Sequence, residues 1–152
     1  MKFHVFLALF YSLLISSCKK DNSLKSYDYF IFGHTNRLCT GDCASFFKIQ
    51  DGKIYQDTIS QYRGSITFSA SHLSEYKYQT AKPVLDSFPV YLLNNSDSVY
   101  GCPDCSDQGL LYIEIGQNYL SKKWFIDPYL INIPEEIRPY AQLVQDIINQ
   151  LH

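Results

Sequence analysis

Two short cysteine pairs carry the spacing best suited to chemistry, Cys39-Thr40-Gly41-Asp42-Cys43 and Cys102-Pro103-Asp104-Cys105. Oxidised, they would be disulfides, and four cysteines allow three connectivities that sequence does not choose among. As thiolates, two from each loop would complete a closed tetrahedral zinc site. The Cys102-x-x-Cys105 spacing is also that of a redox dithiol. That chemistry wants its first thiolate at a helix N-terminus after a βαβ pattern, and here a loop and then a hairpin follow. A crosslink from Cys39 or Cys43 to Cys102 or Cys105 would close a loop of about 60 residues, worth about 4 kcal/mol in the chain-entropy model. A ring within either pair is worth less, so the two loops are expected to be structural and to lie near one another.

Few other side chains compete. His34 precedes Cys39 by five residues, as a ligand, a base or simply a hydrogen-bonded loop residue. His72 and His152 have no partner suggested by spacing. Asp42, Asp104 and Asp107 fit turn chemistry, in which the carboxylate bonds its own backbone. Glu135-Glu136 fits the positive end of a helix dipole. The chain contains no G-x-S-x-G, H-E-x-x-H, P-loop, Rossmann glycine run or calcium loop. No catalytic residue is assigned and no cofactor is expected beyond the zinc alternative.

The compartment bears on the cysteines. Met1-Lys2 is followed by an apolar run from Phe3 to Ile15, too short for a permanent span, which needs about 20 apolar residues. The run ends Ile15-Ser16-Ser17-Cys18, which resembles the lipobox of bacterial lipoproteins. That resemblance implies a signal peptide over 1–17, lipid attachment (diacylglyceryl and palmitate chains) at Cys18, and an oxidising compartment that favours disulfides. Lys19 beside the anchor is not Asp, so the same resemblance implies the outer membrane, with its periplasmic or surface side undetermined. Residues 18–26 read as the lipidated cysteine and a polar tether. The eight residues after Cys18 reach at most about 28 Å.

The full chain carries a formal charge of −2, and loss of Lys2 with the signal leaves it near −3. No basic run is present to neutralise phosphates, which argues against a nucleic-acid partner. Thirteen Tyr and ten Phe invite a glycan-binding reading, but most fall on expected strand and helix faces, where packing accounts for them.

The elements positioning these residues belong to one domain over 27–152, of α+β class: an antiparallel sheet built from hairpins, a C-terminal amphipathic helix and one further helical region. Tyr27–Gly33 reads as a strand ending at the glycine. Ala44–Gln50 and Lys53–Thr58 flank Asp51-Gly52, a type I′ hairpin signal. Ile66-Thr67-Phe68 is a candidate short strand. Ser74–Ser87 has helical spacing, with Pro83 expected to kink or divide it. Pro89 should open a short turn through Leu93. Residues 94–108 read as loop. Leu110–Ile115 and Leu120–Asp127 form a second hairpin around Gly116-Gln117-Asn118. Ile137, Tyr140, Ala141, Val144, Ile147, Ile148 and Leu151 make one apolar stripe, with the regular helix beginning near Arg138.

From Phe32-Gly33-His34, the two cysteine motifs, Phe46-Phe47-Lys48-Ile49, Asp51-Gly52, Ile54-Tyr55, Tyr100-Gly101 and Asp107-Gln108-Gly109, residues 27–152 resemble a family of small uncharacterised bacterial lipoproteins. The Cys-x-Gly-x-Cys motif before a hairpin also looks like a broader domain type. Neither resemblance implies a known activity. The expectation is a lipid-anchored, non-enzymatic binding or accessory domain of the cell envelope, with an envelope protein as partner. The rival is a thiol-redox or metal-dependent enzyme using the cysteine loops.

Overall fold

The computed structural model describes residues 27–36, 43–59, 61 and 64–152. The expected signal peptide, Cys18, the tether, Cys39 and Asp42 lie outside the described residues. The architecture is α+β, as the hairpin signals imply. Strands β1 (Tyr29–Thr35), β2 (Ala44–Gln50), β3 (Lys53–Gln56), β4 (Val99–Tyr100), β5 (Leu110–Gln117) and β6 (Leu120–Ile126) form one sheet in the order β3-β2-β1-β5-β6-β4. Helices α1 (Glu75–Asp86), α2 (Val90–Asn94) and α3 (Arg138–Leu151) accompany it, with short 3-10 turns at Leu130–Asn132 and Glu135–Ile137. No helix among the described residues is long and apolar enough to cross a membrane.

Alternation sorts the strand residues onto two faces. Phe30, Phe32, Phe47, Ile49, Ile54, Ile113, Trp124 and Ile126 join the main core beneath the helices. There they meet Ala81, Val84 and Leu85 of α1 and the whole expected α3 stripe, every member of which is buried. Each large side chain so buried contributes about 1.5–3 kcal/mol. The opposite face carries a smaller cluster of Ile31, Ala44, Phe46, Leu110 and Tyr112, against which Ile66 and Phe68 pack.

The Asp51-Gly52 turn is as expected, with φ of 50° and 69°, and it sets the register Gln50↔Lys53. Other expectations need correction. β1 does not end at Gly33 but continues through His34 and Thr35. A Cβ at Gly33 would lie 2.2 Å from the Ser45 carbonyl oxygen, so this glycine admits the neighbouring strand and does not stop its own. The second hairpin turns at Asn118-Tyr119, with φ of 51° and 66°, while Gly116 and Gln117 stay paired with Ser121 and Leu120. The 94–108 stretch contains β4, which runs parallel to β6 through Val99↔Phe125 and Tyr100↔Ile126. Two residues carry no periodicity by which to find them. Among the described residues Ile66-Thr67-Phe68 forms no strand and contributes the single isolated bridge Asp57↔Phe68. α1 is one continuous helix, capped by the Ser74 side chain. Pro83 lies in its last turn and deprives only the Gln79 carbonyl of an amide, at an exposed residue that water can serve.

Antiparallel connectivity gives the sheet two distinct ends. Both hairpin turns lie where β1 begins, as the pairs Phe30↔Ile49 and Tyr29↔Gly116 require. At the other end Thr35 pairs with both Ala44 and Leu110, so the segments bearing the cysteine motifs meet there.

Candidate functional site

The 101–109 loop is built around Asp127, a fully buried carboxylate directly after β6. One oxygen, Oδ2, accepts the Cys102 amide at 3.0 Å and the Asn132 side-chain amide at 2.8 Å, while Oδ1 accepts the Tyr129 amide at 2.8 Å. Burial pushes this carboxyl up, but the hydrogen bonds outweigh it and hold its pKa below the ordinary carboxylate value. Gln108 closes the loop from the other side, donating to the Cys102 carbonyl at 2.8 Å and accepting the Ser106 amide at 2.6 Å. Asp104 and Asp107 take φ of 63° and 57°, in keeping with turn chemistry.

Within this loop Cys102 and Cys105 are joined to each other, with Cα atoms 5.5 Å apart. Cys43 is disulfide-bonded too, and its partner is not among the described residues. Of the connectivities left open, a crosslink between the two loops is therefore not the one formed at Cys102 and Cys105. The entropic advantage of a long ring loses to local geometry. The Cys105 amide donates to the Cys102 carbonyl, and Gly101 and Asp104 at positive φ fold the four residues into a turn already at disulfide distance. With both sulfurs in that bond, neither is a thiolate ligand in this state. Among the described residues no group of three or more His, Cys, Asp and Glu side chains is placed to hold a metal.

The loops nonetheless adjoin, as expected. Asn36 donates its backbone amide to the Cys43 carbonyl at 2.8 Å and its side-chain amide to the Asp107 carbonyl at 2.7 Å. Gly109 sits against Thr35 at φ 74°, where a Cβ would come within 2.7 Å of the Thr35 oxygen, so no other residue fits without a shift. Between this junction and the flank of α3 lies a cleft of about 350 Å³. His34, Asn36, Gln108, Gln145 and Asn149 supply its polar walls, and Leu110, Leu111 and Ile148 its apolar surface. Among the described lining residues none carries a formal charge apart from the titratable His34.

His34 projects from β1, half-buried, its ring centroid 6.2 Å from that of His152. Burial first, and the neighbouring His152 second, lower its pKa, so the imidazole is neutral at pH 7. His152, for which spacing suggested no partner, thus packs against His34, and also 6.1 Å from Phe47. His72 lies elsewhere, on Tyr55 and the Leu73 carbonyl. Ser45 stands opposite His34 in the ladder, but its buried hydroxyl has no hydrogen-bond partner, so the two do not form a nucleophile–base pair. Glu135 and Glu136 occupy the exposed 3-10 turn before α3, away from the cleft lining.

Sequence reading missed Gln108, Asp127, Gln145 and Asn149. The last two were within reach, since they lie four apart on α3 beside the apolar stripe and must share a face. Asp127 gave no such signal, because its tie to the cysteine loop is the Cys102 amide 25 residues upstream, while its other donors, Tyr129 and Asn132, follow it closely in sequence. A second concavity, about 390 Å³, lies on the opposite sheet face around Glu114. There the buried Glu114 carboxylate accepts the hydroxyls of Tyr29 (2.8 Å) and Tyr112 and lies 3.7 Å from the Lys123 ammonium, a closed network.

No family model matches the chain, and no curated protein matches it.

Proposed function

We propose that this chain is a bacterial lipoprotein, held in the outer membrane through Cys18, whose domain is a non-enzymatic binding or accessory module. Its binding site is the cleft between the cysteine-motif segments and α3. The observation carrying this reading is the cleft's chemistry: a neutral imidazole and carboxamides over an apolar floor, on walls fixed by hydrogen bonds and flanked by disulfide-bonded cysteines. Such a surface suits an uncharged polar segment of an envelope partner, with a few polar groups setting orientation. The rival thiol-redox reading would use the exposed Cys102–Cys105 disulfide. An ionised Asp127 at the Cys102 amide opposes a thiolate there, and β5 rather than a helix follows the pair.

Two measurements test this. A palmitate analogue should label the protein, and Cys18→Ser should abolish the label; a Cys18→Ser form still carrying lipid ends the lipoprotein reading. Envelope proteins that co-purify from detergent-solubilised membranes should be lost with Gln145→Ala/Asn149→Ala. Retention of the same partners by that variant would rule out the cleft.

A further inference from the structure

The turn between β5 and β6 is fastened to the point where the chain enters the fold. Asp28 donates its amide to the Gly116 carbonyl at 2.7 Å, and its carboxylate accepts the Asn118 amide at 2.7 Å. At the apex Tyr119 is fully exposed and Leu120 is 77% exposed, the most exposed adjacent pair of large apolar side chains among the described residues. Two residues on, the Lys122 ammonium is tied to the Leu92, Leu93 and Asn95 carbonyls, which sets the exposed Leu93 beside the same end.

The backbone at this apex is unusual. Asn118 and Tyr119 both have positive φ, and a two-residue turn of that kind favours Asn-Gly. A bulky aromatic in the left-handed region is a genuine outlier. Here Tyr119 makes no packing contact that would repay the strain, since its side chain points wholly into solvent. A tyrosine with a leucine beside it is what a membrane–water interface accepts, ring at the headgroups and aliphatic chain below.

We propose that the Tyr119–Leu120 apex is a membrane-docking tip that inserts into the interface of the bilayer holding the Cys18 lipid. This rests on the lipoprotein reading. The eight residues after Cys18 reach at most about 28 Å, so the entry at Tyr27–Asp28, and the turn bonded to it, stay near the bilayer. Lys19, Lys20 and Lys25 against Asp21 give that segment a net positive charge, which an anionic surface attracts. The tip orients the domain with its cleft end pointing away from the membrane.

The test uses full-length lipidated protein in phosphatidylethanolamine–phosphatidylglycerol vesicles, with and without brominated acyl chains. The natural sequence has a single tryptophan, Trp124, which is fully buried and gives an unquenched baseline. Tyr119→Trp places a reporter at the tip, and bromolipid should quench its added emission by about twofold or more, as for an interfacial ring. Vesicle-bound Tyr119→Trp protein whose emission is the same in both vesicle types would overturn the tip while leaving the anchor standing. Flotation decides the anchor separately: Cys18→Ser should stay behind when the parent floats. If the parent does not float, or the variant floats equally well, the anchor reading falls and the inference falls with it. Contact with a second copy or a protein partner would shield the reporter from acrylamide without bromine quenching, and that result also counts against a bilayer tip.

Discussion

Replacing Asp127 should cost more than replacing any other residue of the cysteine-loop end. Its carboxylate gathers the Cys102 and Tyr129 amides and the Asn132 side chain at zero exposure. Asp127→Ala strands all three donors, and each buried unmet donor costs about 1–3 kcal/mol. Cys102, Tyr129 and Asn132 are all exposed residues that water can reach, so each donor falls at the low end. The expected loss is about 3 kcal/mol. Asp127→Asn should cost less, about 1–3 kcal/mol, because its oxygen can serve the two donors now on Oδ2 and only the Tyr129 amide meets a second donor. The sign with pH follows from the lowered pKa. A carboxyl depressed in the folded state stabilises fully above its unfolded value, near the ordinary 3.8, and that stability is lost as pH falls through the lower folded value. Urea denaturation of oxidised protein at pH 7 and near pH 3 should therefore show the Asp127→Asn deficit shrinking in acid. A deficit under about 0.5 kcal/mol at pH 7, or one unchanged in acid, would refute Asp127 as the ionised centre of the loop.

Tyr140 buries its hydroxyl without a partner, and burial alone drives its pKa well up, so Tyr140→Phe should raise stability by about 1 kcal/mol in denaturant titrations. Burial keeps His34 neutral, so the unfolded chain takes up the proton first as pH falls below about 6.5. Wild-type stability should decline from there until the folded pKa is reached, and His34→Gln should flatten that decline; an NMR-detected His34 pKa at or above 6.5 would contradict it. Opening the Cys102–Cys105 ring with Cys102→Ser/Cys105→Ser should cost about 2 kcal/mol, the chain-entropy value for a four-residue ring, and a loss near the 4 kcal/mol of a long loop would show that the pair constrains much more of the chain.

What the sequence made legible follows how local each cause is. The α3 stripe and the Asp51-Gly52 turn rest on residues a few positions apart, and both stand as read. Gly33 looked like a strand end because glycine usually interrupts; its actual role is a close approach to Ser45 on another strand, which no local pattern records. β4 is visible only through its partner β6. The site divides in the same way. His34 and the cysteines stood out by residue type. Gln145, Asn149 and Asp127 acquire meaning only when α3 and the end of β6 are brought to the end of β1.

The same connectivity explains why the two cysteine loops meet without a bond between them. β1 is central, and its neighbours β2 and β5 both run antiparallel to it. β2 therefore starts, and β5 also starts, where β1 ends. The segment leaving β1 for β2 and the segment entering β5 must share that end of the sheet, and Thr35 pairs with a residue of each. A crosslink between the loops would tie together what the ladder already holds, so the Cys102–Cys105 disulfide is left to order its own turn. By the same parity the chain entry and both hairpin turns occupy the opposite end, about 20 Å away along the seven-residue β1 at the usual strand rise. On the proposed lipoprotein reading, a lipid attached upstream of Tyr27 would pull on the end of the domain remote from His34 and the cleft. A tether at the other end would bury the cleft against the bilayer; this topology would leave it facing outward.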